Sequence, residues 1–486
     1  MDKSATILSY AVRPRVTAHL GALACLALTP MPLVPAIVAL INGETGFAWR
    51  LGGVFAALAG FGLLARSKRP QAPRLNEALV VMALAFIIPP LCMAWALSVF
   101  GLSAIDAIFL AVAGLTTTGL SVLPAPETLP QTLLFTRSWM QWVGGLGFAV
   151  LVLGLMGGAG ASAARRLNQA QPMGDDPLAP AHERARMMVV VYVALSLACF
   201  FALWATGPDA WTSLLYALST LSTGGFAPHS DSAAHLGGAA PQIILIGFST
   251  LGAISFSLYL YALRRKRLPD SLRNDVITLF VLAAISIAGL AGFMALEGYS
   301  AGEIARHAPF MGLAAQTNVG FTTIAPSDLP TAGLVFMMAA MWIGGNSGST
   351  AGGIKTFRAM IVLAMVRLSL QRTSLPPDAV TRLSAQGRLV RREQLEGVLT
   401  VAVLSIATIF AAWLPFQLAG YGVAALFDVV SAVSTAGLSV GVIGPELEPG
   451  LKAVIIACMI LGRIEFVALF VLVWPPTWLG GAPRKS

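Results

Sequence analysis

Charge is what this sequence has least of. Only 11% of its 486 residues are Asp, Glu, Lys or Arg, against about 25% in an ordinary soluble domain, and that scarcity excludes a water-soluble globular fold. Cysteine is sparse and scattered: Cys25, Cys92, Cys199 and Cys458 each stand alone inside an apolar run. No paired spacing exists for a disulfide framework or a thiolate metal site, so the four read as small apolar residues. Histidine is equally thin. His19, His182, His229, His235 and His307 lie at segment ends, in loops or in a short apolar helix.

What is abundant is apolar sequence: 57% of residues are hydrophobic and the mean hydropathy is +0.78. Runs of about 20 residues, at 1.5 Å each, match a hydrocarbon core of about 30 Å. The spacing predicts ten long membrane segments near 17–41, 50–64, 78–100, 133–157, 187–206, 240–263, 275–296, 331–370 (interrupted), 396–418 and 450–474. Lys3, Arg13 and Arg15 before the first run imitate a signal peptide, but that run is too long and lacks a small-residue cleavage site. A retained helix is expected.

The net charge of +9 is a matter of orientation rather than of nucleic acid. Of the 31 Lys and Arg, 24 fall in loops on one side, including Arg66-Ser67-Lys68-Arg69, Arg264 to Arg267, Arg388, Arg391 and Arg392. Four (Arg50, Arg137, Arg306, Lys452) fall on the other side, and three (Lys355, Arg358, Arg463) lie at membrane depth. The positive-inside rule then places both termini in the cytoplasm. Acids such as Asp106, Glu127, Asp209, Asp231, Glu303, Asp328, Asp428, Glu446 and Glu448 gather outside. Most read as solvated loop ends, with a secondary role in drawing cations to the mouth.

Between long segments lie four shorter apolar pieces, Asp106 to Thr116, Asp209 to Leu221, Glu303 to Gln316 and Tyr421 to Val433. As helices they reach only about 16–21 Å and cannot cross. Non-helical backbone at membrane depth is tolerated only beside protein or a water-filled cavity, which predicts re-entrant helices followed by lining loops. Each ends in one pattern: Thr116-Thr117-Thr118-Gly119-Leu120, Ser222-Thr223-Gly224-Gly225-Phe226, Thr317-Asn318-Val319-Gly320-Phe321 and Ser434-Thr435-Ala436-Gly437-Leu438. One such turn would mean nothing; four in matching positions argue against chance. Glycine permits backbone conformations closed to other residues, so successive carbonyl oxygens could face an axis and replace the hydration shell of a cation. The C-terminal end of each short helix carries partial negative charge, which favours a cation and excludes an anion site. Hydroxyl oxygens there are hard ligands, suited to alkali ions. Glycine used for close helix packing is the plainer reading, and it fits Gly144 to Gly160.

This four-fold pattern resembles the Trk/Ktr/HKT superfamily of potassium transporters, most nearly its bacterial TrkH/TrkG type. The likeness extends over essentially the whole chain. Supporting motifs are Gln141-Trp142-Val143-Gly144-Gly145-Leu146-Gly147, Gly344-Gly345-Asn346-Ser347-Gly348-Ser349-Thr350-Ala351-Gly352-Gly353-Ile354-Lys355 and Gly462-Arg463-Ile464-Glu465. The resemblance implies an all-α polytopic membrane protein with four helix–pore loop–helix repeats in pseudo-fourfold arrangement around one pore, after two extra N-terminal transmembrane helices. Its divisions would be 1–76, 77–164, 165–267, 268–372 and 373–486. It implies a potassium filter at Thr117, Thr118, Gly119, Thr223, Gly224, Gly225, Asn318, Val319, Gly320, Thr435, Ala436 and Gly437. Glycine in all four turns goes with potassium in that family, whereas Ser in the first turn goes with sodium. A gate would involve Asn346, Ser347, Gly348, Ser349 and Lys355, together with Arg463 as a cation barrier. The resemblance also implies K+ as the transported ion with no organic cofactor, a cytoplasmic TrkA-type nucleotide-binding partner, a homodimer in membrane lipid, and a place in the bacterial inner membrane.

Independently of any family, five glycines between Gly344 and Gly353 should break the eighth segment, since each costs about 1 kcal/mol relative to Ala. A plain flexible kink is the alternative. Arg463, deep in the last segment, needs water or a partner; Glu465 on a neighbouring helix is the alternative to a pore-facing role. Enzymatic readings are weaker. Gly345-Asn346-Ser347-Gly348 imitates a rhomboid-type intramembrane protease, but no histidine is placed as its base. Gly348 to Gly353 begins like a phosphate loop, yet Ile354 occupies the Lys position. A symporter of inverted repeats would give two halves rather than four like hairpins. A sodium-dependent Ktr-type subunit is the alternative within the family.

Overall fold

The computed structural model describes residues 10–66, 73–158, 181–264, 268–376, 381–464 and 466–479, with backbone alone at 148–158 and 181–182. Helices α1 (Pro14–Leu28), α2 (Pro30–Ile41) and α3 (Thr45–Leu64) come first. Four units then follow one plan: a long helix, a short helix, a tight turn and a returning helix. The first holds α4 (Leu75–Leu97), α5 (Ala104–Leu115) and α6 (Gln131–Gly158). The second holds α7 (Ala181–Trp204), α8 (Ala210–Leu221), α9 (Ala239–Ala253) and α10 (Phe256–Leu263). The third holds α11 (Asp270–Leu296), α12 (Ala301–Thr317), α13 (Thr331–Ile343) and α14 (Thr356–Arg372). The fourth holds α15 (Arg392–Leu418), α16 (Ala424–Val433), α17 (Pro449–Arg463) and α18 (Val467–Val473), before a last turn α19 (Pro475–Leu479).

Burial runs opposite to a soluble protein's. The short helices are enclosed, Ala107 to Leu115 and Leu215 to Leu221 almost entirely. The long helices turn Trp95, Phe201, Phe280 and Phe410 outward, where only hydrocarbon would accept them. Among the described residues six helices are long and apolar enough to cross a membrane, or up to eight counting two bent pairs.

Three expectations need correction. Segment 240–263 is not one straight helix: it bends by 87° between α9 and α10. Its released groups bond instead to the glycine-rich stretch of the third unit, with Ala253 O accepting from Asn346 N at 2.9 Å and Phe256 N donating to Gly348 O at 3.1 Å. Segment 450–474 bends by 111° beyond Arg463, so that residue ends a helix rather than sitting inside one. The chain is also not wholly α. Ser384–Ala385 pairs antiparallel with Arg388–Leu389 in a small hairpin between the third and fourth units.

Three of the four short helices begin at side-chain caps that involve acids expected at an open mouth. Ser103 accepts from Asp106 N, Asp209 Oδ1 accepts from Trp211 N and Thr212 N, and Ser300 and Glu303 form a capping box. Such caps satisfy otherwise unbonded N–H groups and add favourable charge at the helix N-terminus.

A glycine in the returning helix lets three of the four short helices press a last carbonyl against it. A Cβ at Gly144 would collide with Leu115 O, one at Gly252 with Leu221 O, and one at Gly462 with Val433 O. Gly147, one turn on, has only Leu28 Cδ2 at 3.5 Å. Gly144→Ala, Gly252→Ala and Gly462→Ala should therefore each lose about 1–3 kcal/mol by overpacking. Gly147→Ala should be close to neutral. Thermal unfolding of the purified variants in detergent checks the contrast.

Candidate functional site

All four turns are built alike. In each, the N–H of the second motif residue bonds back three residues and that of the third bonds back five: Thr117 to Gly114 and Thr118 to Ala113, Thr223 to Thr220 and Gly224 to Ser219. The third and fourth turns repeat this with Asn318 to Ala315, Val319 to Ala314, Thr435 to Ala432 and Ala436 to Ser431. These are Schellman helix ends, whose second residue must be left-handed and is usually glycine. Here it is Thr117, Thr223, Asn318 and Thr435, at φ of 58°, 52°, 55° and 51°. A β-branched residue is strained there, and only enclosing structure can hold it. Gly119, Gly225 and Gly437 are left-handed as well, at φ of 81°, 83° and 83°. Gly320 is not in that region, so the third turn departs from the other three only at its fourth residue.

The N–H groups of each turn thus point back into the helix, and the carbonyls are left over. Among the described residues no hydrogen bond reaches the carbonyl oxygens of Thr117, Thr118 and Gly119, of Thr223, Gly224 and Gly225, of Asn318, Val319 and Gly320, or of Thr435, Ala436 and Gly437. Nine of these twelve residues are buried, and buried backbone groups are nearly always bonded, so the four triplets are unusual in having oxygens free to take a ligand. The hydroxyls of Thr117 and Thr435 are buried and unbonded too. Thr223 differs, its hydroxyl donating to Ser222 O at 2.7 Å, and Asn318 uses its amide to bridge Met341 O and Ser434 O, both at 2.9 Å.

The turns touch one another in cyclic order. A Cβ on Gly119 would meet Gly224 O, one on Gly225 would meet Gly320, one on Gly320 would lie 3.1 Å from Ala436 O, and one on Gly437 would meet Thr118 O. Side chains tie the same junctions. Gln141 Oε1 accepts from Phe226 N at 3.1 Å, and Glu127 accepts from both the N–H and the hydroxyl of Ser230, which hold its carboxyl below the usual range. Ser232 Oγ accepts from Thr322 N at 3.1 Å, Asn318 reaches Ser434, and Lys452 Nζ lies 2.7 Å from Asp106. Asp106 and Lys452 are therefore an ion pair closing the fourth unit onto the first, not free loop charges. Asp428 is likewise no mouth acid. It is fully buried and accepts from Ser439 Oγ at 2.6 Å, Val440 N at 2.8 Å and Ile443 N at 3.1 Å, fixing the chain beyond the fourth turn.

The broken helix of the third unit lies against the helix-end side of these turns. Gly344, Gly348, Gly353 and Lys355 have positive φ, and Asn346, Ser347, Ser349, Thr350 and Lys355 are buried. Thr350 Oγ1 contacts Leu221 O at 3.0 Å and Gly252 O at 2.9 Å, while Gly353 N donates to Ser434 O at 3.1 Å. A Cβ at Gly352 would strike Ser434 O and Thr435 Oγ1. The loop so reaches from the second unit to the fourth. Lys355 Nζ donates to Ala351 O within the loop. Arg463 clamps it from outside, Nη1 donating to Thr350 O at 2.8 Å and Nη2 to Gly144 O at 3.3 Å. Glu465, the sequence's other candidate partner, lies outside the described residues. At the loop's base, buried Asp275 accepts from Thr356 Oγ1 at 2.6 Å, and that hydroxyl is 3.1 Å from Asn346 Oδ1. Ser347 Oγ has no hydrogen bond among the described residues, and His307 is engaged with Thr323; no serine nucleophile is assembled.

Every residue expected at the turns is thus brought together, with the loop residues and Arg463 beside them. Sequence reasoning names Gln141 and Thr350 only within longer motifs, gives Gln316 and Asp275 no role of their own, and reads Asp428 as an outer acid. Gln316, whose Nε2 donates to Gly344 O at 2.6 Å, could have been suspected as a lone amide in an apolar helix.

Comparison with known proteins places this architecture. A family model described as TrkH, cation transport protein, matches residues 52–274 and 274–475. A Trk system potassium uptake protein TrkH from Halomonas elongata is 30% identical over 393 residues, covering 78% of this chain and 80% of that one. TrkG, a Trk system potassium uptake protein of Escherichia coli, is 28% identical over 393 residues, again 78% and 80% of the two chains. An uncharacterized cation transporter of Methanocaldococcus jannaschii is 27% identical over 458 residues, 90% and 91% of the two chains. The crystal structure of the potassium transporter TrkH from Vibrio parahaemolyticus superposes with a TM-score of 0.82 at 23% identity, covering 96% of this chain and all of that one.

The ion pair offers a direct test of how the turns are held. In a double-mutant cycle of Asp106→Asn and Lys452→Met, thermal unfolding should give a coupling of about 1–3 kcal/mol. Additive effects would mean that the pair does not hold the first and fourth units together.

Proposed function

Because the chain belongs to the TrkH family of cation transport proteins, a family of transporters rather than enzymes, we propose that it takes up potassium through a filter of main-chain oxygens, with the four turns arranged pseudo-fourfold around one axis. Four turns that touch in a closed order, each with three unbonded carbonyls, carry that reading. Thr117, Thr118 and Gly119, Thr223, Gly224 and Gly225, Asn318, Val319 and Gly320, and Thr435, Ala436 and Gly437 supply the oxygens. The relatives named as potassium uptake proteins support potassium as the ion.

An ion entering such a ring exchanges water oxygens for carbonyl oxygens already aimed at it. The ordering has been done by the Schellman ends, so little backbone freedom is lost when the ion arrives. An inside-negative potential supplies about 2.3 kcal/mol per charge per 100 mV, enough to drive uptake without ATP hydrolysis by this chain. The loop from Asn346 to Lys355 blocks the path beneath the filter, and Arg463 holds it closed while adding like-charge repulsion. Its bonds to Thr350 and Gly144 support this role. The divisions 1–76, 77–164, 165–267, 268–372 and 373–486 correspond to the leading helices and the four repeats. Residence in the bacterial inner membrane with both termini cytoplasmic, pairing as a homodimer, and control by a cytoplasmic TrkA-type nucleotide-binding subunit complete the reading.

Expression in cells lacking potassium uptake should restore growth at low potassium. No rescue would overturn the assignment, and rescue only with added sodium would favour the Ktr-type alternative. Gly119→Ser should narrow the preference for potassium over sodium, read as relative permeability in reconstituted vesicles. Arg463→Ala, or deletion within Asn346 to Gly352, should raise tracer flux; flux no faster than the parent's would remove the loop and Arg463 from the gate.

A further inference from the structure

A cavity whose lining shares no residue with the four turns lies between α1, α3 and α4. It has a volume of about 510 Å³ and is walled by small or apolar residues, among them Ala18, Gly21, Ala57, Leu84 and Pro89. Its lining runs from Pro14 to Leu28 along α1, about 21 Å at 1.5 Å per residue and longer than the roughly 15 Å of one leaflet's hydrocarbon. Trp478 closes one end, held there because Val12 N donates to Thr477 O at 2.9 Å. Tryptophan at such a position sits well at a membrane interface.

Charge is unevenly placed around that same end. Because α1 leaves it, α3 returns to it and α4 leaves it again, Arg13, Arg15, Arg66 and Arg74 gather there. Glu77 is the acid that faces them among the described residues, and it is committed to Arg13, with Arg13 Nε at 2.7 Å and Nη2 at 2.8 Å from its two oxygens. Arg74 spends one nitrogen on Ala11 O at 3.2 Å and lies over the Tyr10 ring, with no carboxylate paired to its guanidinium among the described residues. Arg15 and Arg66 are exposed. A greasy slot opening under a net-positive rim fits a two-part molecule, a hydrocarbon chain ending in an anion.

We propose that this cavity is a binding site for one acyl chain of an anionic phospholipid, its headgroup held by Arg15 and Arg74. The site stands independently of the filter, needing only that the chain lies in a membrane. Two of its wall residues, Cys25 and Cys92, are free thiols facing the slot, so occupancy can be read without altering the protein.

The full chain, reconstituted in phosphatidylglycerol or in phosphatidylcholine vesicles, is treated with N-phenylmaleimide, which enters hydrocarbon, and labelling of Cys25 and Cys92 is followed by peptide mass spectrometry. A basic side chain near an anionic surface contributes about 1 kcal/mol, or about fivefold in occupancy. Labelling of both thiols should therefore be several-fold slower in phosphatidylglycerol, and Arg15→Gln with Arg74→Gln should abolish the difference. Gly21→Phe, which fills the slot, should lower the phosphatidylglycerol that survives detergent purification. Equal labelling rates in the two vesicles overturn the proposal. So does protection that persists in the arginine double variant, which would point to a neutral lipid, a second copy or another stretch of this chain in the slot.

Discussion

A main-chain carbonyl buried without a hydrogen bond is an unfavourable object, and this protein concentrates such objects at the ends of four short helices. Each Schellman end consumes the nearby N–H groups and leaves the next carbonyls unmatched. Side chains at the left-handed position add strain that an isolated turn would relax by unwinding. That the turns persist means the enclosing long helices are stiff enough to impose them. The side-chain caps at the start of three short helices, the glycines packed against the ends of three and the ties between neighbouring turns all serve that one constraint.

The same logic explains the broken helices. Interrupting a helix at membrane depth exposes polar backbone that lipid cannot satisfy. Here two interruptions satisfy each other: the groups released around Ile254 bond to the loop that begins at Gly344. The bend in the second unit and the loop in the third are one feature distributed over two segments. Movement of the loop would strand carbonyls of Gly252 and Ala253, which couples the position of the loop to the shape of α9.

Much of this was legible in the residues. The four turns repeat a pattern, and repetition is detectable without coordinates. The break after Ile343 follows from glycine content alone. What escaped was long-range. Nothing near Ile254 announces a bend, because its cause lies in another unit. Asp106 and Lys452 are 346 residues apart, and by composition each is an ordinary loop charge. Asp428 was misjudged because a lone acid on the outer side usually faces water, whereas residues 439–443 fold back to donate to it in mid-helix. The left-handed threonines could not be anticipated either, since intrinsic preference argues against them.

The single covalent chain has a further consequence for how such a ring can change over time. In a pore made from four identical subunits, any substitution arrives four times at once. Here Thr117, Thr223, Asn318 and Thr435 occupy equivalent stations with different chemistry: two open hydroxyls, one hydroxyl turned back on its own backbone, and one amide used as a bracket. Each quadrant can drift separately, so the ring of turns need not be symmetrical, and one turn can spend its side chain on bracing a neighbour while its main-chain oxygens stay as open as the rest.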